Sequence, residues 1–117
     1  MGRRFEEFEV WKLSLDLVKI LSEIFYDKEF KNYSFQDQIM RAAISVTNNI
    51  AEWNERWSNA DFVKFLYYAK GSIWEVRSML YVANYLWYIN EKTFDELRDK
   101  CITVSVQIHN FIKSMKK

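Results

Sequence analysis

The sequence predicts an all-α protein: an antiparallel up-down-up-down four-helix bundle forming one domain over residues 1–117. Three observations predict it. Apolar residues recur at alternating spacings of three and four along four separate stretches, the mark of helices that each bury one face. The chain has no proline and only two glycines, which leaves little material for the tight turns of a sheet. Half of the residues are hydrophobic, and a chain of this size can bury about two-thirds of its unfolded surface without disulfides or metal.

The first helix is predicted from about Phe5 to Tyr26. Its leading face is Phe8, Trp11, Leu15, Val18 and Phe25, widened by Leu13, Leu17, Ile20, Leu21 and Ile24. Glu6, Glu7 and Glu9 near its start complement the helix dipole. The stretch DKEFKNY then breaks the pattern, and Ser34 with Asp37 three residues on reads as the next N-cap. The second helix buries Ile39, Ala43, Val46, Ile50, Trp53 and Trp57. Ser58 and Asp61 cap the third, which runs to about Tyr88 and buries Phe62, Leu66, Ala69, Ile73, Val76, Leu80, Ala83 and Trp87. Thr93 and Glu96 form the capping box of the last helix, whose core residues are Phe94, Leu97, Cys101, Val104, Ile108, Phe111 and Met115.

An antiparallel turn near Trp57 and Ser58 pairs residues whose numbers sum to about 115 or 116. That register sets Ala42 and Ala43 against Gly71, Ser72 and Ile73. A mid-helix glycine costs about 1 kcal/mol relative to alanine, and close backbone approach between the two helices would account for Gly71. The same register sets Arg41 against Glu75, as a partly buried pair that fixes alignment.

Charge and composition narrow the function. Seventeen basic and sixteen acidic residues leave a formal charge of +1, which argues against a surface that coats nucleic acid by charge alone. Cys101 is the single cysteine, so no internal disulfide forms and a cytoplasmic setting is expected. No stretch approaches the roughly 20 apolar residues that span a bilayer. His109 lies eight residues from Cys101 on one helix, about 12 Å of rise away, too far for a thiolate–imidazole dyad. With no Glu-x-x-His, Cys-x-x-Cys or glycine-rich phosphate loop, no catalytic residue, metal ligand or cofactor is predicted.

QIMRAAISVTNNIAE, followed by DFVKFLYYAKGSIWEV and preceded by FEVWK near the start, resembles the four-helix bundle family of ribosomal RNA intervening-sequence proteins. That family also includes accessory variability proteins of diversity-generating retroelements. Trp53 stands where family members carry glycine, and Thr47 lies where they carry proline. The resemblance implies a non-enzymatic bundle that assembles as a ring-like homopentamer. Through its retroelement members it also implies an accessory role binding a reverse transcriptase and RNA or DNA, to which the near-neutral charge is less suited.

Three groups of residues are candidates for function. Tyr67, Trp74, Tyr81 and Tyr88 recur every seven residues beside the buried seam of the third helix and are predicted to form an oligomer interface, where tyrosine and tryptophan are enriched. Arg41, Ser45, Asn49, Glu52 and Arg56, with Glu75, form a polar stripe that reads as an interhelical network. Arg3, Arg4, Arg56, Lys113, Lys116 and Lys117 should gather at the end carrying both termini, a possible phosphate contact if multiplied around a ring.

Overall fold

A computed structural model describes residues 4–56 and 63–115. It contains four α-helices, α1 (Glu9–Phe25), α2 (Tyr33–Glu55), α3 (Lys64–Tyr85) and α4 (Glu91–Met115), with a 3-10 turn at Phe5–Glu7 before them. Among the described residues there is no strand. The molecule measures 45 × 21 × 21 Å, close to the roughly 38 Å that 25 helical residues span. α1 packs on α2 and α4, α2 on α3, and α3 on α4. The core lies along the axis these four share.

The core residues of α3 and α4 follow the expected pattern up to the last turns of α4, where Ile112 is buried and the expected Phe111 and Met115 are half-buried against the core. Leu66, Ala69, Ile73, Val76, Leu80 and Ala83 are buried, as are Phe94, Leu97, Cys101, Val104 and Ile108. On α2, Ile39, Ala43, Val46, Ile50 and Trp53 are buried. Trp57, Ser58, Asp61 and Phe62, with the turn they were expected to make, lie outside the described residues.

α1 departs in two ways. The backbone at Phe8 is extended (φ −77°, ψ 131°), splitting the expected helix so that Phe8 can enter the core, its ring 5.4 Å from Trp53 and 5.7 Å from Phe111. The buried face is Val10, Ser14, Leu17, Leu21 and Phe25, whereas Leu15 is 46% exposed. Ser14 enters this face because its hydroxyl donates to the Val10 carbonyl at 2.7 Å, which satisfies it locally.

Both expected N-caps move to an asparagine. The Asn32 side chain accepts from the Phe35 backbone N–H at 3.0 Å, so α2 starts before Ser34. Asn90 accepts from the Thr93 N–H at 2.8 Å, placing Thr93 inside α4. Asparagine caps at least as well as serine or threonine, and in each case it comes first along the chain.

Aromatic clusters close the two ends. At one, Phe8, Trp53 and Phe111 meet, with Trp53 and Phe111 5.0 Å apart. At the other, Phe25, Phe30, Phe35 and Tyr88 interlock edge to face, Phe30 and Tyr88 at 4.8 Å. Such pairs add about 0.5–1.5 kcal/mol each beyond their buried area. They bring the start of α1 to the ends of α2 and α4, and the end of α1 to the start of α2 and the residues just after α3.

Trp87 is not the last core residue of α3. The helix stops at Tyr85, and Trp87 takes a left-handed backbone with φ 66°. The Tyr88 N–H donates to the Ala83 carbonyl at 2.8 Å and the Trp87 N–H to Asn84 at 3.2 Å. That is the Schellman ending, whose left-handed position usually belongs to glycine. Tyr88, held in the aromatic cluster and receiving a hydrogen bond from Asn32 Nδ2 at 2.9 Å, pulls the chain into this turn and leaves the Trp87 side chain 91% exposed.

Candidate interaction surface

The outer side of α3 carries the predicted interface residues, and three of the four remain open there. Tyr67 is 42% exposed, Trp74 50% and Tyr81 53%. Trp74 and Tyr81 have rigid seats: the Trp74 indole N–H donates to Ser105 Oγ at 3.3 Å, Lys70 Nζ lies 5.0 Å from the Trp74 ring centroid, and Tyr81 sits 4.8 Å edge-on to Phe94. Contacts to α4 therefore hold the aromatic face in place while half of it faces solvent. Tyr88 differs. It belongs to the end cluster, where its ring and hydroxyl are spent within the subunit. The heptad spacing could not reveal this, because the helix that would set its direction ends three residues earlier.

The polar stripe divides into three local pieces. Arg41 pairs with Asp37 at 3.0 Å in its own helix, both well exposed. The expected partner Glu75 only shares with them the rim of an open groove of about 390 Å³ between α2 and α3. Ser45 exchanges a hydrogen bond with Ser72 at 2.9 Å, and Asn49 donates to the Ser45 carbonyl and hydroxyl at 2.9 and 3.0 Å. Arg56 binds Glu52 at 2.8 Å and lies over the Phe65 ring. Exposed pairs of this kind contribute a few tenths of a kcal/mol.

Ser45 and Ser72 sum to 117, close to the expected register, but Ser72 and not Gly71 faces α2. A Cβ built on Gly71 meets nothing within 4 Å. The close-approach explanation for this glycine is therefore withdrawn, because a one-residue shift along a helix turns a side chain by about 100°.

Of the basic group, Arg3, Lys116 and Lys117 lie outside the described residues. Arg4 and Lys113 are exposed, and Arg56 is compensated by Glu52. Burial pushes the Cys101 thiol up to about 12, so at neutral pH it is a protonated core side chain and not a nucleophile. Among the described residues no group of His, Cys, Asp and Glu could hold a metal ion, and no helix is long and apolar enough to cross a membrane.

Sequence pointed to Tyr67, Trp74 and Tyr81 but missed Gly71, Ser78, Val82 and Tyr85 on the same outer side. All four are exposed, Tyr85 at 84%. Gly71 and Ser78 were hidden because small residues read as gaps in an apolar pattern, and Val82 and Tyr85 because they fall outside the seven-residue repeat of Tyr67, Trp74 and Tyr81.

These features define a four-helix bundle whose distinctive surface is a row of half-exposed aromatic side chains on α3. The family model for 23S rRNA-intervening sequence protein matches residues 6–110, and the chain belongs to that family. A solved relative in fold is a crystal structure of a protein with unknown function from the S23 ribosomal protein family of Bacteroides thetaiotaomicron. The two share 24% identity and a TM-score of 0.82, over 89% of this chain and 98% of the other. No curated protein matches the chain.

Proposed function

We infer that this chain is a non-catalytic assembly module: a bundle that self-associates through α3 and presents a composite surface to a partner. The supporting observation is the row of half-exposed aromatics Tyr67, Trp74 and Tyr81, the last two rigidly seated on α4. Exposed apolar patches of a few hundred Å² often mark functional surfaces, and aromatic rings are among the commonest anchors of protein interfaces. The stoichiometry implied by the family resemblance is a homopentamer in the cytoplasm. With no charge excess to hold phosphate non-specifically, the partner is recognised by shape and apolar contact first. Light scattering over a concentration series from nanomolar to high micromolar tests this. A mass above one subunit that falls on dilution supports assembly, and a constant 14.3 kDa species overturns it.

A further inference from the structure

Two seams run along α3. The inner one, Leu66, Ala69, Ile73, Val76, Leu80 and Ala83, faces the core. The outer one is Tyr67, Gly71, Trp74, Ser78, Tyr81 and Tyr85, with spacings of four, three, four, three and four. At about 100° per residue the two lie nearly opposite each other. Strict repetition of this kind is how a helix keeps one stripe against a neighbouring helix. A helix apolar on opposite sides is one that is enclosed from both.

Within the outer seam, large and small residues alternate over about 27 Å of helix. Tyr67, Trp74, Tyr81 and Tyr85 are the projections; Gly71 and Ser78, seven apart, are the recesses. Gly71 gives up about 1 kcal/mol of helix propensity although nothing inside the subunit requires the space its missing side chain leaves. Something outside the subunit must account for that space.

Resting on the assembly reading above, we propose that a helix of a second copy of this chain lies along this outer seam and approaches most closely at Gly71. The surface area fits that occupant. With 150–250 Å² for a whole aromatic side chain and the exposed fractions of Tyr67, Trp74, Tyr81 and Tyr85, the aromatics of the seam offer about 450 Å² per subunit. Matched by an equal area on the neighbour, the contact comes close to the roughly 1,000 Å² floor of a specific interface. Every subunit also supplies a complementary element, because α2, α3 and α4 are each long enough to cover the seam. Gly71 and Ser78 act as sockets for the neighbour's side chains, and the aromatics close around them.

The test uses Gly71→Leu and Ser78→Leu in the full chain. A Cβ added at 71 meets nothing within 4 Å and leucine improves helix propensity, so the fold is expected to persist, which circular dichroism and a urea melt verify, and a change in self-association then reads the contact. The expected result is self-association weakened at least tenfold by either variant. Leucine at Lys12, exposed on α1, is expected to leave it unchanged. If wild type is a monomer at every concentration, the assembly reading itself fails. If wild type assembles and Gly71→Leu assembles equally well, assembly stands and the outer seam is not its contact. Equal disruption by the Lys12 variant also overturns the proposal.

Discussion

The left-handed turn at Trp87 is the sharpest conflict between a residue and its position. A side chain in that conformation costs about 1–2 kcal/mol, and the exposed indole returns little burial in exchange. Trp87→Gly is therefore expected to raise stability by about 1 kcal/mol, read as a higher urea midpoint with an unchanged slope; a lower midpoint would show that the indole has a partner in the subunit. Cys101 makes the opposite case, a titratable group silenced by burial. Its folded pKa of about 12 lies above the ordinary thiol value of 9.0, so the folded state holds the thiol proton more tightly. The resulting stability is fully present below about pH 9 and is lost as pH rises from 9 toward 12. Alkylation of the native protein at neutral pH should proceed only as fast as the chain opens, and Cys101→Ala should flatten the alkaline decline.

At the scale of elements, what the sequence made legible depended on contrast. α3 and α4 set apolar positions among charged and polar ones, and their buried faces were readable residue by residue except in the last turns of α4, where Ile112 is buried and Phe111 and Met115 only half so. α1 has apolar residues on nearly every side, so Leu15 looked as suitable for the core as Leu17; only the positions of α2 and α4 decide between them. The caps were misread because serine and threonine box patterns also occur one turn inside a helix. The end of α3 is imposed by Tyr88 docking on Phe30 and Phe35, a long-range contact with no local signal. Asn32 joins both effects, capping α2 and holding the Tyr88 hydroxyl. Asn32→Ala should cost about 1–2 kcal/mol, more than the roughly 1 kcal/mol of an ordinary cap, and Asn90→Ala about 1 kcal/mol. Equal losses in thermal melts would mean that the Tyr88 bond adds nothing.

For the whole molecule, assembly and stability are linked. If folded subunits associate and unfolded chains do not, the melting temperature rises with protein concentration; a midpoint constant over a hundredfold range would count against any assembly of folded subunits. The ends should also be the last regions to open. Trp53 is wholly buried between Phe8 and Phe111, and Trp53→Ala is expected to remove about 3–5 kcal/mol, measured by chemical denaturation.

The Phe8–Trp53–Phe111 and Phe25–Phe30–Phe35–Tyr88 clusters act on the bundle as two hoops act on a cask. Between them the facing surfaces of α2 and α3 carry Ala42, Ala43, Ser45 and Ser72, light staves with room to bow. A neighbour of the kind proposed would press on the waist without loosening either hoop, so that subunits would join already folded and separate without coming apart.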